Sequence, residues 1–262
     1  SIAFNMASLE AADLLFGDEQ YRDALWVYRL VYPREVIQRR SERYLEILRA
    51  EAEDLRQMSG RYRELLRTQE AIGEAEAELK ALEEIENYDI ELQFRMARGY
   101  LEIRRYWEAR ALFLYLHVVC EDEQAEEALY LAFHCSTQIE PKDRAFELGR
   151  EYMKLYPGGE YYDPLTLALG QLYAMRKDWP NVISVLTEAL EVSPRHESIA
   201  ECMFLIGYAS FMEEDYSGSV KWLRRLNREY PGNERQEEAS YWIGRGLMFD
   251  KKYEESRETF AV

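Results

Sequence analysis

The sequence DPLTLALGQLYAMRKDWPNVISVLTEALEVSP at residues 163–194 is followed at residues 200–231 by AECMFLIGYASFMEEDYSGSVKWLRRLNREYP. Four classes of residue recur at an interval of 37 residues: Gly170, Gly207 and Gly244; Trp179, Tyr216 and Tyr253; Leu186, Leu223 and Phe260; and Pro157, Pro194 and Pro231. Such a period is typical of a solenoid, in which no unit can bury its apolar face alone and each supplies part of the core of its neighbour. The pattern predicts a repeat protein.

The composition is that of an acidic chain long enough to bury a large core. Of its 262 residues 47% are hydrophobic, and 50 Asp and Glu against 33 Lys and Arg give a formal net charge of −17. This charge would repel a phosphate backbone instead of releasing its counterions, and it disfavours an anionic membrane surface. No run of about 18 apolar residues could span a bilayer. We therefore expect no nucleic-acid partner and no transmembrane segment.

Each repeat unit is predicted to be a pair of helices. Residues 88–262 contain five units, the last truncated, and each has two runs of apolar residues at steps of three and four around a short polar break. Residues 1–33 show the same pattern and are predicted to form a first hairpin. No stretch alternates as a strand would, so the fold class is all-α. By the repeat register Val262 falls inside a helix, and the natural protein is expected to continue beyond it.

Residues 34–87 interrupt the repeats. They contain no proline, and apolar residues recur mostly at steps of three, four or seven: Ile37, Tyr44, Leu48, Leu55, Met58, Tyr62, Leu65, Ile72 and Leu79. This spacing is typical of a long helix with a coiled-coil seam. The segment is either one rod of roughly 80 Å at about 1.5 Å per residue, or an antiparallel hairpin that folds back near Ser59 and Gly60. A single solvated helix, whose charges keep it soluble, is the third interpretation.

The repeated positions resemble those of the tetratricopeptide repeat (TPR). One unit carries Leu169-Gly170, Tyr173, Trp179, Leu186, Ala189 and Pro194, and the next carries Ile206-Gly207, Tyr216, Leu223, Leu226 and Pro231. The resemblance covers the chain outside residues 34–87. It implies a right-handed solenoid of helical hairpins with a long-helix coiled-coil insertion. The chain departs from the family pattern where Val182, Ser219 and Ser256 replace the alanine that usually opens the second helix, which affects packing distances but not the fold.

A narrower resemblance lies in residues 229–244. The phrase Glu229-Tyr230-Pro231-Gly232-Asn233, followed by Glu238-Ala239-Ser240-Tyr241-Trp242-Ile243-Gly244, is similar to repeats of bacterial cell-envelope proteins. Examples are the accessory factor of outer-membrane barrel assembly and the Tol-Pal coordinator, which also combines a coiled coil with such repeats. The resemblance implies a scaffold in the bacterial periplasm or at the outer membrane. A cytoplasmic location is the alternative.

No residue pattern indicates catalysis or a bound metal. The chain has three histidines and three cysteines: His117, His134, His196, Cys120, Cys135 and Cys202. His117 and Cys120 could share a helix face, but a zinc site needs four ligands, or three and a water. His134 and Cys135 are adjacent and therefore point in different directions. Because Gly-rich phosphate loops and hydrolase motifs are also missing from the sequence, we predict no enzymatic activity, no metal and no cofactor.

A surface for another polypeptide is the remaining candidate site. In the TPR register the first helices line a concave groove, and residues at steps of four and three on them share one face. The predicted partner-binding residues are Phe94, Arg98, Tyr130, His134, Phe204, Tyr208, Phe211, Tyr241, Arg245 and Met248. Aromatic and Arg side chains are the types that anchor interfaces. The alternative interpretation assigns several of these rings to the core between repeats.

The sequence thus predicts a non-catalytic scaffold that binds a peptide, helix or partner protein, with an apolar strand or an amphipathic helix as ligand. The envelope resemblance implies a role in bacterial envelope assembly. Two alternatives stay open. The chain could be a structural subunit that forms homo-oligomers through residues 34–87, or a regulatory TPR domain of a larger protein.

Overall fold

A computed structural model describes residues 2–260, which form fourteen α-helices and no strand. The helices are α1 (Ile2–Gly17), α2 (Tyr21–Tyr28), α3 (Arg34–Gln57), α4 (Tyr62–Glu83), α5 (Asp89–Glu102), α6 (Tyr106–Val119), α7 (Asp122–Thr137), α8 (Asp143–Leu155), α9 (Tyr162–Met175), α10 (Trp179–Val192), α11 (Ile199–Met212), α12 (Tyr216–Glu229), α13 (Gln236–Phe249) and α14 (Tyr253–Phe260). The prediction of an all-α fold is confirmed. The expectation for Val262 falls outside the described residues.

The helices belong to two compact units, Ser1–Cys120 and Glu121–Val262, called here the first and second units. In the second unit the helices form consecutive antiparallel pairs, and we call the first helix of a pair A and the second B. Each B helix packs against its own A helix and against the next A helix, and successive A helices α9, α11 and α13 also touch. This is the stacking that the repeat period predicts, because each pair covers the apolar face of the next.

Glycine lets the two helices of a pair approach closely. A Cβ atom built on Gly170 would lie 2.7 Å from Cδ2 of Leu186, and one built on Gly207 would lie 2.6 Å from Cγ of Leu223. Both leucines are fully buried. The recurring glycine and leucine of the sequence are therefore the two sides of one contact, and the close approach outweighs the helix penalty of about 1 kcal/mol for glycine.

The turn from helix A to helix B repeats one backbone conformation. A non-glycine residue with φ near 60° lies two positions after the A helix in five turns: Glu19, Arg104, Lys177, Glu214 and Lys251. Around Lys177, its N–H donates to the carbonyl of Ala174 and the next N–H, of Asp178, donates to the carbonyl of Tyr173, both at 2.9 Å. This pair of bonds is the Schellman motif, which satisfies the last carbonyls of a helix. The turn therefore fixes how each B helix folds back onto its A helix.

The first unit contains a hairpin inserted between two repeat pairs. Helix α2 packs directly against α5. Helices α3 and α4 lie between these two in the sequence and pack against each other. The two ends of the insertion meet where the backbone N–H groups of Arg34 and Glu35 both donate to the carboxylate of Asp89. The Arg34 guanidinium also donates to the carbonyls of Leu82 and Ile85. These bonds close the base of the hairpin.

Residues 58–61 separate α3 from α4, so this segment is a hairpin and not a single rod. Gly60 supplies the left-handed backbone of the turn, with φ of 87°. The buried residues of α3 are Leu45, Leu48, Ala52 and Leu55. Three residues of the predicted seam are wrong, because Tyr44, Met58 and Tyr62 are 53%, 53% and 70% exposed. Leu45 occupies the buried position beside Tyr44. The spacing of these buried residues keeps coiled-coil packing as a prediction for this pair.

In two linkers between repeat pairs, a side chain accepts from the backbone N–H of the residue just before the next A helix. The N–H of Ser198 donates to Nδ1 of His196 at 3.0 Å, and the N–H of Arg235 donates to Oδ1 of Asn233 at 2.9 Å. Asn commonly makes this local turn. His196 and Asn233 are 37 residues apart, so two different residue types accept the equivalent hydrogen bond at one position of the repeat.

Candidate protein-binding surface

The structure divides the predicted partner-binding residues by exposure. Phe94, Phe204 and Phe211 are at most 8% exposed, so the prediction that they face a partner is corrected. Tyr130, Tyr208 and Arg245 are half-buried. The remaining members are exposed: Arg98, His134, Tyr241 and Met248. Steps of three and four place residues on one helix face, but such a face is wide enough to run from the core to the solvent.

The three buried rings pack between helices. Phe204 belongs to a core cluster with Met203, Leu223 and Ile243. The ring of Phe94 lies 6.5 Å from that of Phe113, which is fully buried on the paired B helix. These rings therefore stabilise the stacking of the repeats, as the alternative interpretation of the sequence holds.

Three predicted residues belong to helices other than α11 and α13. Arg98, in the first unit, places its guanidinium carbon 5.7 Å from the ring centroid of Phe94. Tyr130 on α7 stacks on Tyr161, with ring centroids 4.6 Å apart and an interplanar angle of 13°. His134 is exposed on the same helix.

Helices α11 and α13 carry a continuous group of aromatic side chains. The ring of Tyr208 lies 5.0 Å from that of Trp242, and the ring of Phe211 lies 4.9 Å from Trp242 and 5.7 Å from Phe249. The exposed and half-buried members form what we call the α11–α13 surface: Tyr208, Tyr241, Trp242, Arg245, Met248 and Phe249. The sequence prediction missed Trp242 and Phe249. Their signal was available, since they flank Tyr241 and Met248 on the same helix and lie three or four residues from Arg245.

Arg245 lies at the centre of this surface. Its guanidinium carbon is 5.4 Å from the ring centroid of Phe211, 5.8 Å from Tyr241, 5.3 Å from Trp242 and 5.7 Å from Phe249. Aromatic rings attract a cation through the negative potential of their faces. Within residues 2–260 this guanidinium makes no ion pair and donates no hydrogen bond. Four rings therefore hold it in place while its N–H donors stay available to a ligand.

The second unit also contains a buried pair of His and Cys that sequence spacing did not reveal. Sγ of Cys202 lies 3.8 Å from Nε2 of His196, and both residues are almost fully buried. Burial raises the pKa of the Cys202 thiol to about 12, so the thiol stays protonated at neutral pH. A protonated thiol is a weak nucleophile. The pair therefore contributes packing and hydrogen bonding.

His196 is part of a hydrogen-bond chain that fixes its protonation state. The hydroxyl of Thr166 donates to the carbonyl of Tyr162 at 2.8 Å and so accepts from Nε2 of His196, 3.1 Å away. Because Nδ1 accepts from Ser198, the imidazole is neutral with its proton on Nε2. Burial lowers the pKa of His196, although the carboxylate of Asp163 opposes this.

Over residues 2–260, no three His, Cys, Asp or Glu side chains are grouped so that they could hold a metal ion. No helix of this range combines the length and the apolar character that crossing a bilayer requires.

No protein-family model and no curated protein sequence matches this chain. Its fold matches solved structures. The MamA RS-1 ArsTM double mutant is 15% identical, with 66% of this chain and 90% of that chain covered and a TM-score of 0.50. A MamA AMB-1 structure is 14% identical over 66% of this chain and 88% of its own, with a TM-score of 0.51. A Podosopora anserina kinesin light chain with nearly identical TPR-like repeats is 12% identical over 68% and 94%, with a TM-score of 0.48.

These identities show the fold alone. The helical pairs, their stacking and the MamA matches together show a TPR-like helical repeat fold. The sequence prediction of a TPR-type solenoid is thus confirmed at the level of the fold.

Proposed function

We propose that this chain is a scaffold that binds another polypeptide on the α11–α13 surface. The observation that supports the proposal is Arg245, whose cation is surrounded by four rings and has no ion-pair partner in the described chain. Tyr241, Met248 and Phe249 are each between 42% and 49% exposed around it. Aromatic residues and Arg dominate the energetics of protein interfaces, and Met adapts to irregular partners.

The ligand that suits this surface has apolar side chains and at least one free carbonyl or carboxylate oxygen. The exposed rings and Met248 would cover the apolar side chains, and the guanidinium of Arg245 would donate to the oxygen. A strand or a short amphipathic helix offers both groups. Because Arg245 is already oriented, little side-chain entropy is lost when the ligand binds.

We expect Tyr241→Ala and Arg245→Ala each to weaken the binding of such a ligand by about tenfold or more, equal to about 1.4 kcal/mol. Tyr241 loses apolar contact area, and Arg245 loses charge-assisted hydrogen bonds. A phage-displayed peptide library selected on the intact chain would supply the ligand. Fluorescence anisotropy of an enriched, labelled peptide then gives the dissociation constants.

Trp107→Ala is the matched control. Trp107 is 59% exposed on α6, and the guanidinium carbon of Arg110 lies 4.5 Å from its ring centroid, so it also pairs an exposed ring with an Arg. The control variant should bind the selected peptide as the parent does. If Tyr241→Ala and Arg245→Ala bind equally well while circular dichroism shows intact helices, the α11–α13 surface is not the binding site.

Self-association through the α3–α4 hairpin is a second proposal, favoured by exposed apolar side chains. Tyr44 and Ile47, three residues apart on α3, are 53% and 57% exposed. If this face joins two copies, Ile47→Glu should convert an oligomer to a monomer, because a carboxylate is costly to bury. Sedimentation velocity measures the mass. Leu14→Glu, at a 67% exposed position on α1, is the control and should leave the mass unchanged.

Two outcomes would contradict the hairpin proposal. The parent chain could already be a monomer, or Ile47→Glu could keep the mass of the parent.

We also propose a bacterial envelope location, supported by the sequence resemblance of residues 229–244. Detection of the protein in the cytoplasmic fraction of the native cells would overturn it.

A further inference from the structure

Helix α12 differs from its neighbours in charge. Lys221, Arg224, Arg225 and Arg228 stand against the single acid Glu229, although the whole chain carries a net charge of −17. Among the fourteen helices of residues 2–260, α12 alone has more basic than acidic residues. Exposed cations on neighbouring turns of one helix repel each other. This concentration of positive charge therefore calls for a local explanation.

The basic side chains of α12 line a cleft. Together with Lys252, just before α14, they border a space of about 440 Å³. The repeat does not require these residues. One unit earlier, at an interval of 37 residues, the corresponding positions hold Ser184, Thr187, Glu188, Glu191 and Asp215. The cleft is therefore a local feature of the last described pairs and not a by-product of the repeated core.

Carboxylates of the chain already pair with the arginines of this cleft. Arg224 donates to Glu255 at 2.9 Å, Arg225 donates to Glu229 at 3.0 Å, and Arg228 donates to the same Glu229 at 3.1 Å. Each of these guanidinium groups uses a single nitrogen in its contact. Exposed ion pairs of this kind contribute little free energy, so they can be exchanged for pairs with a ligand.

Of the five cations of the cleft, Lys221 alone is unpaired within residues 2–260, since Lys252 pairs with Asp250 at 2.6 Å. Lys221 makes no ion pair with any residue of the described range. Arg225 places its guanidinium carbon 5.5 Å from the ring centroid of Trp222, which orients its remaining N–H donors. Arginine binds carboxylates through two parallel hydrogen bonds, and lysine adds a mobile positive charge.

We propose that this cleft binds a carboxylate-rich segment of a partner polypeptide, at a site separate from the α11–α13 surface. The cleft offers five cations, and the carboxylates of a ligand can replace those of Glu229 and Glu255 on its arginines. A nucleic acid or an anionic vesicle would bring extended negative charge close to the rest of this acidic chain, and the repulsion disfavours both. A narrow acidic peptide can enter the cleft without that repulsion.

The test uses the whole chain and a fluorescein-labelled peptide of alternating Glu and Gly residues, measured by fluorescence anisotropy. We expect saturable binding that weakens strongly between about 0.1 M and about 1 M salt, since the screening length falls from about 10 Å to about 3 Å. The triple variant Lys221→Glu, Arg224→Glu and Arg228→Glu should bind about tenfold more weakly or worse. The peptide with Gln in place of every Glu should not bind.

A second triple variant, Lys154→Glu, Lys177→Glu and Arg257→Glu, is the matched control. It changes the net charge equally at three exposed positions outside the cleft. If the control weakens binding as much as the cleft variant, attraction is general and the site is refuted. If the cleft variant loses helicity by circular dichroism, the neutral set Lys221→Gln, Arg224→Gln and Arg228→Gln replaces it and should give a smaller loss in the same direction.

Three further outcomes would overturn the proposal. The Gln peptide could bind as well as the Glu peptide, which would exclude recognition of carboxylates. A labelled single-stranded oligonucleotide, or phosphatidylserine vesicles in a flotation assay, could bind more tightly than the peptide and lose that binding in the cleft variant. Either result would assign the cleft to nucleic acid or to a membrane surface.

Discussion

Replacement of Leu223 by alanine is expected to lower the free energy of unfolding of the second unit by about 2–5 kcal/mol. Leu223 is fully buried and lies against the backbone of Gly207, so the truncation leaves a cavity that a helix pair cannot easily close. Urea unfolding followed by circular dichroism at 222 nm, a standard helix signal, measures the change. Because repeat arrays unfold by neighbouring units, the loss should appear first in the transition that includes α11 and α12.

The partner of this leucine makes the prediction sharper. Gly207→Ala should destabilise the parent by about 1–3 kcal/mol, since its Cβ would lie 2.6 Å from Cγ of Leu223. In the Leu223→Ala background the same change should be neutral or stabilising, because alanine favours a helix by about 1 kcal/mol over glycine. The double-mutant cycle therefore has a large coupling energy of opposite sign to the single changes.

Gly73→Ala on α4 is the control for helix propensity. No atom outside its own helix lies within 4 Å of a Cβ at Gly73, so alanine there should stabilise the chain by about 0.5–1 kcal/mol. Equal effects of Gly73→Ala and Gly207→Ala would refute close helix contact as the reason for the repeated glycine.

The second prediction is that the second unit loses stability when the pH falls below about 6.5. Burial holds the pKa of His196 below its ordinary value of 6.5. The unfolded chain therefore binds a proton at this residue before the folded chain does, which favours unfolding. The contribution of neutral His196 to the free energy of unfolding is fully present above pH 6.5 and is lost progressively toward the lower pKa of the folded state. Its size is about 1.4 kcal/mol for each tenfold difference in proton affinity between the folded and unfolded chains. A protonated Nδ1 would also turn a donor toward the N–H of Ser198.

His196→Asn separates this effect from the titration of carboxylates. Asn is the residue that accepts the equivalent amide at position 233, so the variant keeps the hydrogen bond and loses the titration. It is expected to be less stable than the parent at pH 7.5, because the smaller side chain leaves a cavity. The difference should shrink as the pH falls to 5.5. Parallel curves of unfolding free energy against pH would show that His196 does not control the dependence.

Much of the fold could be predicted because it depends on contacts within the repeated unit. Gly207 and Leu223 recur at fixed spacing, and the structure shows that they touch. The helices themselves follow from apolar residues at steps of three and four. The buried face of the inserted hairpin was harder to predict, because one heptad pattern allows more than one choice of buried positions. The choice of Leu45 over Tyr44 depends on how α3 rotates against α4, which only the packed pair determines.

The candidate site could be predicted only in part. Successive residues of a helix are about 100° apart around its axis. This spacing identifies the apolar face but does not distinguish a ring in the core from a ring at the edge of the core. Phe204 and Tyr208 illustrate this, since they stack at 6.3 Å, yet one is buried and the other is half-buried. The environment of Arg245 needs side chains from α11 and α13, so no single stretch of sequence displays it. The four cations of α12 do lie in one stretch, residues 221–228, but only the folded chain shows that they border one cleft with Lys252.

The repeated turn also provides equivalent positions for spin labels, from which distances along the second unit can be measured. Lys177, Glu214 and Lys251 hold the same left-handed backbone position at intervals of 37 residues, and all three side chains are exposed. Spin labels attached at pairs of these positions would share one local geometry, so differences between their distances report on the backbone and not on the tether. A change in these distances on addition of a ligand would show that the second unit bends when it binds.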